Sequence, residues 1–117
     1  RKELTKEELH IKLKKGLSTD NIYSEYGMTE LLSQSYSIKD QIFNAPNWKK
    51  IIIRDLQDPY KEENIGKTGG VNIIDLANSN SCAFIATDDL GVKLENGFKI
   101  KGRIDQSMQR GCNLLIN

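Results

Sequence analysis

A chain of 117 residues is long enough for one domain and too short for two. Lys and Arg number 17 against 16 Asp and Glu, with no long block of one sign, so the charge pattern points neither to nucleic acid nor to a membrane surface. Apolar runs such as Leu114-Leu115-Ile116 fall far short of the roughly 18 residues that span a bilayer, and no signal-peptide pattern is present.

Two cysteines and one histidine supply neither a disulfide framework nor a zinc pattern, and a reducing cytoplasm is the expected setting. The sequence opens on Arg1 rather than Met, which suggests a piece of a longer protein. In chain order, Thr5-Lys6-Glu7-Glu8 has the form of a capping box and predicts a helix start. Leu9 and Leu13 follow on one helical face, and Gly16 offers a left-handed exit. His10 on this charged helix reads as solvent-exposed, with no partner that argues for catalysis. Residues 21–26 read as a short strand entering a turn at Gly27. Residues 39–48 are mixed, and Pro46 argues against a long helix there.

After Trp48 the period shifts towards two. Residues 50–55 carry Ile51-Ile52-Ile53, a β-branched run typical of a strand. Residues 70–76 and 82–87 continue the series, with Gly- and Asn-rich turns between them. Val92-Lys93-Leu94 and Phe98-Lys99-Ile100 flank Glu95-Asn96-Gly97, and Asn-Gly is a strong hairpin signal. Strands joined by short turns favour antiparallel pairing. The expected class is α+β: an N-terminal helix, then a mostly antiparallel sheet or small distorted barrel, in one unit over 1–117. No internal repeat or low-complexity segment is seen.

Four stretches carry candidate chemistry. Ser24-Glu25-Tyr26-Gly27-Met28-Thr29-Glu30 presents an aromatic face, a hydroxyl and a carboxylate around a glycine turn. Such a set can stack a base, hold a phosphate oxygen and ligate Mg²⁺ through Glu30; it also reads as an ordinary strand-to-loop junction. Thr87-Asp88-Asp89-Leu90-Gly91, at the expected end of a strand, offers a carboxylate for ribose hydroxyls or simply a turn. In Gly102-Arg103-Ile104-Asp105, Arg103 is either a fork for phosphate and ribose oxygens or a solvated side chain. Gly66-Lys67-Thr68-Gly69-Gly70 suggests a P-loop, but that motif needs glycine where Lys61 stands, and a strand follows instead of a helix. The stretch is expected to be a flexible connection. Cys82 reads as a buried, inert thiol. Cys112, just after Arg110-Gly111, reads equally as an activated thiolate or a packed terminal residue.

The order Tyr26-Gly27-Met28-Thr29-Glu30, Asp89-Leu90-Gly91, Gly102-Arg103-Ile104-Asp105 resembles the adenylate-forming superfamily of acyl-CoA ligases, luciferases and peptide-synthetase adenylation domains. Residues 102–115, with Arg110-Gly111-Cys112-Asn113-Leu114, look most like the acyl-protein synthetases of bacterial bioluminescence operons; the phenylacetate-CoA ligase branch is the nearest competitor. The resemblance implies ATP and Mg²⁺ as cofactors and a carboxylic, fatty-type acid as substrate. It implies that Tyr26 stacks on adenine, that Gly27 permits close approach, that Thr29 touches the α-phosphate and that Glu30 ligates Mg²⁺. Asp89 then holds the ribose hydroxyls, Arg103 reaches ribose or phosphate, Asp105 is a hinge, and Cys112 accepts the acyl group.

The superfamily's Gly/Ser/Thr-rich phosphate loop and most of its acyl pocket are not in these residues and are expected upstream. Asp88 stands where many relatives have glycine. The mobile small domain with its catalytic lysine is not in these residues either, so the chain alone is not expected to complete the reaction. The expected activity of the parent is ATP-dependent acyl-adenylate formation and transfer to a protein thiol, with an acyl-acceptor or reductase protein as partner. A CoA ligase and a non-catalytic β-rich binding module are the alternatives.

Overall fold

The computed structural model describes residues 3–19 and 22–104. Helix α1 (Lys6–Leu17) starts at the expected capping box: Thr5 Oγ1 accepts from the Glu8 amide at 3.1 Å, and Glu8 Oε2 accepts from the Thr5 amide at 2.8 Å. The helix passes through Gly16, and Ser18, at φ 53°, takes the left-handed exit instead. None of its residues is buried, so Leu9 and Leu13 remain open to the surface.

Seven strands follow: β1 (Ser24–Tyr26), β2 (Ser35–Lys39), β3 (Ile42–Asn44), β4 (Lys49–Arg54), β5 (Thr68–Asp75), β6 (Phe84–Leu94) and β7 (Gly97–Arg103). They form one sheet in the order β1-β2-β3-β7-β6-β5-β4, and every pairing is antiparallel. The class is therefore α+β, as the strand spacing predicts.

Two local expectations are revised and a third is filled in. The stretch at 66–70 is not a free connection: Thr68 opens β5, and Gly69 and Gly70 are buried against Arg54. The two strands expected at 82–87 and 92–94 are one long strand, β6. Residues 39–48 contain the β2–β3 hairpin turn, made by Asp40 and Gln41 at φ 57° and 58°. A two-residue hairpin turn with both φ values positive is usually marked by Asn-Gly or Asp-Gly, a mark this one lacks.

β1 and β6 lie four places apart in the sheet, roughly 19 Å if the sheet were flat. Yet the Tyr26 hydroxyl on β1 bonds Asp89 on β6 at 2.7 Å. The sheet is thus strongly curled, and its two ends approach without closing the ladder. The concave side holds Tyr26, Phe43, Ile51, Ile53, Val71, Ile73 and Phe98, inward-facing residues of the strands, together with Leu31 from the β1–β2 connection.

Candidate functional site

Tyr26 ends β1 with its ring in the core. The ring centroid lies 6.0 Å from that of Phe43 and 5.9 Å from that of Phe98, and Lys49 Nζ sits 5.7 Å from it. Only 8% of the residue is exposed, so it offers a base little ring surface; the hydroxyl is what reaches the site. Burial, then the hydrogen bond to Asp89 and the charge of that carboxylate, push the Tyr26 pKa far above its ordinary value.

Asp89 does not end a strand but lies within β6, in an irregular stretch. Between the β5–β6 pairs Gly70↔Leu90 and Asn72↔Ala86, β5 supplies Val71 alone while β6 supplies Thr87, Asp88 and Asp89. The bulge re-aims these side chains. Thr87 Oγ1 accepts the Asp89 amide at 3.0 Å and donates to the Val71 carbonyl at 2.8 Å. Asp89 is paired in register with Arg103 of β7, which brings Arg103 Nε within 4.0 Å of Oδ1. The Arg103 side chain is 75% exposed and that of Asp89 14%, so the guanidinium can swing towards a ligand at little cost.

Thr29 and Glu30 form a surface turn closed by the Leu31 amide donating to the Met28 carbonyl at 3.0 Å. The following segment is fastened from below. Asp75 accepts from the Ser33 amide and from Ser33 Oγ, each at 2.9 Å, and Asn78 Nδ2 donates to the Glu30 carbonyl at 2.7 Å. Trp48 Nε1 donates to Ser33 Oγ at 2.7 Å, while Lys49 Nζ donates to the Ser33 carbonyl at 3.0 Å and to Ser35 Oγ at 2.9 Å. Burial lowers the Lys49 pKa against the pull of Asp75.

The result is a cleft of about 250 Å³. Met28 and Glu30 line one side, Thr87, Asp88 and Asp89 another, and Arg103 the rim. Three of the candidates, Glu30, Asp89 and Arg103, therefore share one opening, with Tyr26 beneath it. Gly27 and Thr29 stand beside it on the exposed turn; a Cβ on Gly27 would press within 2.9 Å of Gln34 Cγ. Cys112 and Asp105 lie outside the described residues. Among the described residues no group of three or more His, Cys, Asp and Glu gathers to cage a metal. A lone exposed carboxylate such as Glu30 fits Mg²⁺, which commonly takes one or two carboxylates and completes its shell with water and phosphate oxygens.

Other residues at the site carry no local sequence signal: Lys49 and Arg54 read as ordinary strand-end cations, and Asp75 as a turn former. Cys82, expected to be buried, is exposed, with Sγ 2.9 Å from the Phe84 carbonyl. His10 has partners: Nε2 lies 3.0 Å from Ser24 Oγ and Nδ1 3.4 Å from Gln41 Nε2.

No protein-family model matches the sequence, and no curated protein matches it. Among solved structures, the chain is similar to the luciferase-like enzyme from the nonluminescent Zophobas morio mealworm, with a TM-score of 0.66 and 14% identity. The likeness covers 86% of this chain and 30% of that one, and at this identity it speaks for the fold. No described helix is long and apolar enough to cross a membrane.

Proposed function

We propose that this chain is the nucleotide-holding part of an adenylate-forming enzyme that activates a carboxylic acid, of fatty type, with ATP and passes it to a protein thiol. The observation that carries the reading is the convergence of Glu30, Asp89 and Arg103 on one cleft above Tyr26, three segments spread over most of the sequence. The resemblance of those segments to a superfamily that includes luciferases, and the fold shared with a luciferase-like enzyme, support it together.

In this reading the Asp89 carboxylate accepts from both ribose hydroxyls; the Tyr26 hydroxyl holds it from below, and Thr87 fixes the Asp89 amide. Arg103 leaves Asp89 to meet ribose or α-phosphate oxygens with its planar fork. Thr29 and Gly27, on the exposed turn, approach the α-phosphate, where a hydroxyl and backbone amides can stabilise developing charge. Tyr26, whose buried ring leaves little surface for the adenine, acts through its hydroxyl on Asp89. Glu30 would hold Mg²⁺, which supplies charge neutralisation at the phosphates. Attack of the acid's carboxylate on the α-phosphorus releases pyrophosphate and leaves a mixed anhydride. The Cys112 thiolate then displaces AMP to form a thioester.

The test has two parts. Calorimetry on this chain is expected to show AMP binding that Asp89→Ala weakens at least tenfold, the scale of a lost charge-assisted pair of hydrogen bonds. Intact mass spectrometry on the longer protein, with Mg²⁺-ATP and a panel of fatty and aryl acids, is expected to show a hydroxylamine-labile acyl adduct absent in Cys112→Ser. AMP release that requires coenzyme A, without an adduct, would transfer the assignment to a CoA ligase. Neither nucleotide binding nor an adduct would leave a non-catalytic module.

A further inference from the structure

The bulge that presents Asp89 creates a problem that a residue outside the cleft solves. With three residues of β6 set against one of β5, carbonyls at the bulge leave the regular ladder, and a buried carbonyl without a donor is costly. Arg54, at the end of edge strand β4, reaches across β5 to fill the gap. Its Nη1 donates to the Val71 carbonyl at 3.2 Å and to Asn72 Oδ1 at 2.6 Å, and its Nη2 donates to the Thr87 carbonyl at 2.7 Å. One rigid fork thus serves the single β5 residue and the first residue of the bulge, a task for which lysine's single ammonium is badly shaped.

Gly70 shows that space is kept for this fork. A Cβ built there overlaps Arg54 Cζ and comes within 2.7 Å of Nε and Nη2. The absence of a side chain at 70 is what lets the guanidinium lie against the sheet. From Arg54 the line to the cleft is short. Thr87, whose carbonyl Arg54 holds, also holds the Asp89 amide through Oγ1, and Asp89 is the carboxylate that Tyr26 orients.

We infer that Arg54 is a positioning residue that fixes the Thr87–Asp89 bulge and so makes the cleft selective for nucleotides carrying both ribose hydroxyls. The inference rests on the nucleotide reading above. Arg54 touches no ligand; it sets the position of the carboxylate that does.

The experiment compares AMP with 2′,3′-dideoxy-AMP by calorimetry on the full chain, in wild type, Arg54→Lys and Gly70→Ala. Gly70→Ala displaces the fork with a single methyl, so it remains informative if Arg54→Lys fails to fold. The wild type is expected to prefer AMP. Both variants are expected to lose about tenfold of that preference, the scale of one charge-assisted hydrogen bond, while dideoxy-AMP binding changes little. Hydrogen exchange at the Asp89 amide is expected to speed up in parallel. An unchanged preference in folded variants, or an equal loss for both nucleotides, would overturn the role of Arg54 and leave the nucleotide reading standing. A wild type that binds AMP but does not prefer it overturns the sugar selection alone. A wild type that binds neither nucleotide brings down both.

Discussion

Tyr26 belongs to the core by its ring and to the cleft by its hydroxyl, and the two roles separate in Tyr26→Phe. That substitution keeps the packing against Phe43 and Phe98 and removes the donor to Asp89 Oδ2. A stability loss of about 1–2 kcal/mol at neutral pH is expected, as for a buried hydrogen bond to a charged acceptor. The pH dependence gives a sharper signature. The folded-state pKa of Tyr26 is raised above the ordinary 10.0, so below that value both states keep the proton and the stabilisation is complete. Above it the unfolded chain sheds the proton while the folded chain retains it, and stability is lost as pH rises. Urea unfolding at about pH 8 and about pH 11 should therefore show a wild-type advantage over Tyr26→Phe that shrinks at the higher pH. A constant difference would mean that the hydroxyl is not held as described.

At the scale of elements, the seam between β3 and β7 joins the two halves of the sheet through the single register pair Phe43↔Phe98, whose rings stack at 5.6 Å. Gly97 makes that seam possible. Its φ is 151°, and a Cβ there would overlap the Phe43 carbonyl and come within 2.8 Å of Ile42 Cγ2. Gly97→Ala is expected to cost about 2 kcal/mol or more, since backbone strain and a clash with backbone act together. A chemical melt within about 0.5 kcal/mol of wild type, the range of an ordinary surface change, would argue against this seam. The same hairpin shows what a sequence reveals. Asn96-Gly97 announces the β6–β7 turn, although there the positive φ falls on Gly97 alone, the first residue of β7. The β2–β3 turn instead places two non-glycine residues, Asp40 and Gln41, at φ 57° and 58°, and nothing local distinguishes Gln41 there from a loop residue. Helix α1 was legible at its start, where capping chemistry is local, but not at its end, where Ser18 rather than Gly16 takes the left-handed position.

At the scale of the molecule, the residues of the cleft were readable as motifs, but their meeting was not. Tyr26 and Asp89 stand 63 positions apart, and only the curl of the sheet brings them into contact, a property spread over many strands. The fastening that holds the curl was equally hidden. Asp75 is 0% exposed, yet from sequence it is an Asp at a strand end, where turn chemistry is the default reading. Burial alone would raise its pKa, but hydrogen bonds from the Ser33 side chain and from the Ser33, Ala77 and Leu32 amides outweigh burial and hold it below the ordinary 3.8. A carboxyl depressed in the folded state contributes its full stability above the unfolded value and loses it as pH falls through 3.8 towards the folded value. Asp75→Asn should therefore be less stable than wild type near neutrality, by roughly 2 kcal/mol, because its amide nitrogen meets donors where an oxygen accepted them. The gap should narrow below about pH 4, where the wild-type carboxyl is protonated on unfolding. Trp48 is the sole tryptophan and donates to the Ser33 hydroxyl that Asp75 holds, so its fluorescence reports on the fastening directly. If the Trp48 spectrum and the acid midpoint are the same in Asp75→Asn as in wild type, the segment carrying Thr29 and Glu30 is held by something other than this corner. If both shift, the turn of the candidate site is anchored by a buried charge at the far end of β5, and cleft and curl are one structural unit.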